Sequence, residues 1–161
     1  MTKEDTDRRG RCVVLEEITD ENWRAVADVA PADDQRRFVA ALSARYLLLS
    51  LRDGTWNSLA VRAGDEVVGH VMWAYDEEDG THWIGGMVVN AAEQGKGVGR
   101  ATMRALMRRL AALPSCREVR LSYHPENTPA ARLYASLGFT PTGEFEGEEI
   151  VAALSGGMAA A

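Results

Sequence analysis

Between Trp56 and Asn90 apolar and β-favouring residues gather in three short blocks. These are Trp56 to Arg62, Glu66 to Tyr75 and Thr81 to Asn90, separated by Ala63-Gly64-Asp65 and by Asp76-Glu77-Glu78-Asp79-Gly80. Short blocks of this kind with turn-forming breaks predict three strands in an antiparallel meander. The period then changes: Val98, Thr102, Leu106, Leu110 and Leu113 recur at three and four, with Arg100, Arg104, Arg108 and Arg109 largely off that stripe, which predicts a long amphipathic helix. Val119-Arg120-Leu121-Ser122-Tyr123 alternates as a further strand, His124-Pro125-Glu126 breaks it, and Asn127 stands as N-cap of a helix through Leu137 closed by Gly138. Strands from Phe139 to Gly143 and from Glu148 to Leu154 follow.

The first third is less regular. Val13-Val14-Leu15 reads as a strand. Thr19 caps a helix with Asp20 and Glu21 in its first turn and Ile18 stapled to Trp23. From Pro31 to about Leu51 the pattern is helical with uncertain breaks. The element order is thus β-α-α-β-β-β-α-β-α-β-β, one domain of mixed α and β type over residues 12–154, between a mobile charged N-terminal tail (1–11) and a short C-terminal tail (155–161).

Composition narrows the function without naming it. At 161 residues with 46% hydrophobic residues, one ordinary core is expected, and no stretch approaches membrane length. The net charge of -6 argues against a nucleic-acid partner. Cys12 and Cys116 are the only cysteines and read as inert thiols, while His70, His82 and His124 lack metal-ligand spacing, so no metal is expected. The cytoplasm is the default compartment.

Candidate chemistry concentrates where the third strand of the meander meets the long helix. Gln94-Gly95-Lys96-Gly97-Val98-Gly99-Arg100 puts three alternating glycines at a strand-to-helix turn, where backbone can approach a ligand and the free amides of the first helical turn meet an anion. A dinucleotide fingerprint counted from Gly95 needs glycine at Arg100, and a phosphate loop of the Walker type needs glycine and lysine where Arg100 and Ala101 stand. Both fail. What remains, Gln-x-x-Gly-x-Gly, resembles the acetyl-coenzyme A loop of the GNAT superfamily of N-acetyltransferases. Asn127-Thr128-Pro129-Ala130-Ala131-Arg132-Leu133-Tyr134-Ala135-Ser136-Leu137-Gly138-Phe139 is similar to a second block of that family.

The resemblance implies a GNAT fold: a mostly antiparallel sheet flanked by helices and splayed into a V-shaped cleft between Thr81 to Asn90 and Val119 to Tyr123. It implies pyrophosphate on the backbone of Gln94, Gly95, Lys96, Gly97, Val98, Gly99 and Arg100. Pantetheine would lie along Met87, Val88 and Val89, Asn127 would hydrogen-bond the arm, and Tyr134 would protonate the departing thiolate. The implied reaction is direct attack of a primary amine on acetyl-coenzyme A in a ternary complex, and a homodimer is consistent with the family.

One departure is visible. Many relatives carry an acid about nine residues before the glutamine, where this chain has Gly85-Gly86. That pair reads either as a widened acceptor cleft or as a bulge. His82, Tyr123, His124, Glu126, Glu146 and Glu148 are the remaining groups for moving a proton, and none is singled out.

Leu113 to Val119 and Thr142-Gly143-Glu144 through Gly147-Glu148 look like the diamine and spermidine acetyltransferase branch, although Glu93 replaces a tyrosine before Gln94. The acidic Asp76 to Asp79 turn would suit a cationic amine, but reads more simply as a solvated hairpin tip. The expected function is therefore acetyl transfer to a small cationic amine. A protein amine, an aminoglycoside-like compound and non-catalytic sensing of acyl-coenzyme A are the alternatives.

Overall fold

The structure is a computed structural model describing residues 6–155. The three blocks form the expected meander, β2 (Asn57–Ala63), β3 (Glu66–Asp76) and β4 (Thr81–Val89), paired antiparallel in sequence. β1 (Val13–Glu17) adds to the free edge of β2. On the other side β4 meets β5 (Glu118–Tyr123), then β7 (Glu149–Ser155) and β6 (Thr140–Glu146), so the seven strands run β1-β2-β3-β4-β5-β7-β6.

The β4–β5 contact positions the site. These strands are parallel and pair only at His82 with Val119 and Trp83 with Arg120. β5 then pairs along its whole length with β7. Past Trp83 the two strands part, and the sheet opens into the expected V.

Four helices cover the sheet: α1 (Trp23–Ala27), α2 (Ala44–Asp53), α3 (Val98–Ala111) and α4 (Thr128–Ser136). α3 buries Val98, Thr102, Leu106 and Leu110, as its periodicity demanded, together with Ala101, Met103 and Met107. They pack against Val61, Val71, Ile84, Val119 and Leu121 of the strands. Each large apolar side chain in this seam contributes roughly 1.5–3 kcal/mol, which fixes the start of α3 against the end of β4. α4 starts as expected, with Asn127 Oδ1 accepting from Ala130 N at 3.4 Å, and Gly138 follows it at φ +100°.

Three expectations change. Thr19 does not cap a helix. Its hydroxyl accepts from Asn22 N while Asn22 Oδ1 accepts from Thr19 N, which closes a separate turn. The helix then begins at Trp23, so this residue stands at N1 and not at the N4 position of a staple, and it lies 42% exposed under the Arg24 guanidinium. The helical pattern from Pro31 resolves into a 3-10 turn, Asp33–Gln35, and α2, because tertiary partners take amides that a continuous helix would need. Ser43 N donates to Val29 O and Ala40 N to the Tyr46 hydroxyl. Finally, residues 6 to 11 were expected in a mobile tail, yet they fold back on the protein. Thr6 bridges Cys12, and Asp7 is buried and accepts from the amides of Arg9 and Arg11. The remainder of both expected tails, 1–5 and 156–161, lies outside the described residues.

Candidate active site

The glycine turn takes the shape its composition required. Gly95 and Gly97 sit in the left-handed region at φ +77° and +83°, conformations that side chains resist. The first helical bond of α3 runs from Ala101 N to Gly97 O, which leaves the amides of Val98, Gly99 and Arg100 outside the helical ladder. Gln94 turns inward, its Nε2 donating to Gln35 Oε1 and to Val89 O, so the turn is tied to the end of β4. Together these amides form a concave donor surface at the positive end of a 14-residue helix.

The folded N-terminal segment runs beside this turn as a strap. Arg8 N donates to Lys96 O at 2.7 Å and Arg8 Nη1 to Gly95 O at 3.2 Å. Arg11 is paired with Asp7 at 2.8 Å and with Glu93 at 2.6 Å, and Glu93 also meets Lys96 at 3.4 Å. The hydrogen bond from Arg11 holds the Glu93 carboxyl below its ordinary range despite some burial. Glu93 thus acts here as the strap's anchor.

Beside the strap is a cavity of about 470 Å³ lined by Gly95, Gly97, Arg8, Arg100, Arg104 and Arg132 among others. Among the described residues Arg100, Arg104 and Arg132 have no ion-pair partner, while Arg11, Arg62 and Arg120 are paired. Cations left unpaired around a nest of free amides fit a polyphosphate ligand, and so the residues present suit the phosphates of coenzyme A.

The V of the sheet opens into a second cavity of about 1100 Å³. Met87, Tyr134 and Asn127 line it, as do Gly85 and Gly86. Tyr134 is held by ring contacts to Tyr123 at 5.7 Å and Phe139 at 6.2 Å, and its hydroxyl has no hydrogen-bond partner among the described residues. Burial, reinforced by the charge of Glu149, pushes the phenol up to about 12, so it keeps its proton at neutral pH.

Gly85-Gly86 is a bulge. His70 pairs with Val88 and Met72 with Gly85, so two residues of β4 face one of β3, and Gly86 takes φ +56°. The bulge does not widen the cleft at Gly85, because a Cβ there would lie 3.0 Å from the Trp56 ring. Trp56 fills the place of the missing acid.

The bulge is braced from below. His70 Nδ1 donates to Gly86 O at 2.6 Å, and its Nε2 accepts from Ser58 Oγ at 2.9 Å, with Tyr46 stacked on the ring. A carbonyl can only accept, so His70 is the Nδ1-H tautomer. Burial pushes its pKa down to about 4. The unfolded chain protonates near 6.5, so the folded state is fully stable above that pH and loses stability as pH falls toward 4. The loss is expected to be roughly 3 kcal/mol in total and roughly 2 by pH 5. Urea midpoints at pH 7.5 and 5.0 should show this drop in the wild type and a much smaller one in His70→Gln; equal drops would assign the linkage elsewhere.

The other proton-moving candidates separate. His82 is buried behind Trp73 and Tyr75, which line the cavity while His82 does not. Glu126 pairs with Arg37 at the surface, and Glu148 is 91% exposed. Tyr123, His124 and Glu146 line the large cavity, as do Asp76, Glu77 and Glu78 of the acidic turn. Asp79 instead accepts from Thr81 and faces Arg120. Sequence reasoning missed Trp56, Tyr46 and Glu149 on this wall. Burial pushes the Cys116 thiol up, in keeping with an inert side chain.

Comparison with known proteins agrees with this geometry. Residues 14–139 match the family model described as Acetyltransferase (GNAT) family. The chain is 28% identical over 146 residues to the spermine/spermidine N(1)-acetyltransferase of Bacillus subtilis strain 168, covering 85% of this chain and 95% of that one. Among solved structures, AAC(6')-Ib in complex with ribostamycin and coenzyme A superposes with a TM-score of 0.75 at 18% identity, over 91% of this chain and 94% of that one. RimJ of Mycobacterium smegmatis in complex with CoA-disulfide gives 0.67 at 17% identity, over 93% and 84%. With the family model spanning most of its length, the chain belongs to the acetyltransferase (GNAT) family.

Proposed function

We propose that this acetyltransferase moves the acetyl group of acetyl-coenzyme A to a primary amine of a small cationic molecule, by direct attack in a ternary complex. The observation that carries the reading is one continuous path. It runs from a glycine nest ringed by unpaired arginines, along the β4 edge that β5 abandons, to the free hydroxyl of Tyr134 and a cavity rich in carboxylates and indole rings.

On this reading the amides of Gln94 through Arg100 bind pyrophosphate, and the β4 edge at Met87, Val88 and Val89, on the side that β5 leaves open, receives the pantetheine arm as an added strand. Asn127 spends its Oδ1 on capping α4 and offers its Nδ2 to the arm. Tyr134 gives a proton to the leaving sulfur. The acceptor occupies the large cavity, where Asp76, Glu77, Glu78, Glu146 and Glu149 supply negative charge and Trp56 and Trp83 supply faces for a cation. We place the enzyme in the cytoplasm; no helix among the described residues is long and apolar enough to cross a membrane.

A larger polycation of the aminoglycoside kind is the second reading, favoured by the cavity volume of about 1100 Å³. The test is thiol release from acetyl-coenzyme A with polyamines, aminoglycosides, amino acids and peptides as acceptors. Turnover is expected with the polyamines. Turnover confined to peptides would move the acceptor to a protein amine, and cofactor binding without any turnover would turn the reading toward a sensor.

A further inference from the structure

The carboxylates of the large cavity are not equivalent. Asp76 ends β3, Glu77 and Glu78 follow it in the hairpin turn, and Glu146 stands on the fully exposed β6. Glu149 opens β7 beside β5. Val151 of β7 pairs with Ser122, and strand alternation sets Glu149 on the same face as Val151. The Ser122 hydroxyl accordingly donates to Glu149 Oε1 at 2.8 Å, which fixes the carboxylate. Its Oε2 has no donor among the described residues. Tyr46 of α2, Tyr134 of α4 and Tyr123 of β5 line the same cavity as Glu149, so the carboxylate faces the space between those helices and the strand ends. Gly85 cannot be the source of an acid, since Trp56 covers it.

We infer that Glu149 is the general base of the transfer, taking the proton of the acceptor ammonium directly or through one water. The inference rests on the acetyltransferase reading above. An alkyl ammonium with a pKa near ~10.4 leaves roughly one molecule in a thousand or fewer neutral at pH 7, so a held carboxylate at the acceptor has a defined task. The amine nitrogen gives its first proton to Glu149, which passes it to solvent. Its lone pair then forms the C–N bond as the C–S bond breaks and the sulfur leaves with the electron pair. Tyr134 protonates that sulfur, and the second proton leaving nitrogen restores the phenol. The products are the amide, the thiol and one released proton.

Glu149→Gln keeps the shape and the hydrogen bond from Ser122 but cannot take a proton. With an alkyl amine acceptor, kcat is expected to fall about 100-fold or more, while the acetyl-coenzyme A Kd stays within about threefold. Glu149→Asp should recover part of the loss. With a weakly basic amine that is already neutral at the assay pH, the Gln variant should lose far less. An effect confined to the acceptor KM, or an equal loss with both kinds of amine, would overturn the base assignment and leave Glu149 as a binding group. Normal turnover in Glu149→Gln would overturn it outright. A wild type inactive with every amine would instead overturn the transferase reading and this inference with it.

Discussion

Gly97→Asp is expected to weaken acetyl-coenzyme A binding by at least about 100-fold in Kd, measured by calorimetry, while the protein remains folded. Three effects act together. Gly97 sits at φ +83°, where a side chain costs about 1–2 kcal/mol. A Cβ there would lie 3.0 Å from Arg8 Cγ and 3.3 Å from Arg8 N, so the strap must shift. The new carboxylate would also occupy the positive end of α3 and repel the phosphates. A like charge about 4 Å away at an effective dielectric of 20 opposes binding by roughly 4 kcal/mol, more than the strain alone. Gly97→Ala carries the strain and the strap displacement without the charge, and should lose markedly less affinity. Unchanged affinity in Gly97→Asp would place the pyrophosphate away from this turn.

The features legible in the sequence were those set by local rules. Gly95 and Gly97 announced a turn where backbone can approach a ligand, Gly138 announced a left-handed helix end, and Asn127 announced a helix start through a bond to a residue three positions on. The stripe on α3 and the alternation from Val119 to Tyr123 follow directly from backbone periodicity. Features set by distant pairing stayed hidden. The strap looked like a charged tail because its partners, Glu93 and Lys96, lie more than eighty residues away. Trp56 covers Gly85 only after two strands have paired with β3 in a particular register. Glu149 was overlooked in favour of Glu146 and Glu148 because the face it occupies depends on which residue of β7 meets Ser122. A shift of one residue would send it to the other side of the sheet.

Tyr134→Phe isolates the step that follows proton removal from the amine. The ring packs against Tyr123 and Phe139, whereas the hydroxyl is without a protein partner, so phenylalanine preserves the packing and deletes only the donor. We expect kcat to fall about 100-fold, acetyl-coenzyme A affinity to stay within a few fold, and the melting temperature to change little. The phenol lies at about 12, so the wild type should show no loss of activity from Tyr134 ionisation between pH 6 and 9. Burial makes a thiolate more basic as well, which keeps transfer from so weak an acid feasible. A donor whose thioester carries a better leaving thiol needs this proton less, so a donor analogue with an acidified thiol should narrow the gap between Tyr134→Phe and wild type. Undiminished turnover with acetyl-coenzyme A itself would leave Tyr134 as a packing residue and send the search for the acid to Tyr123 and His124, which share the same wall.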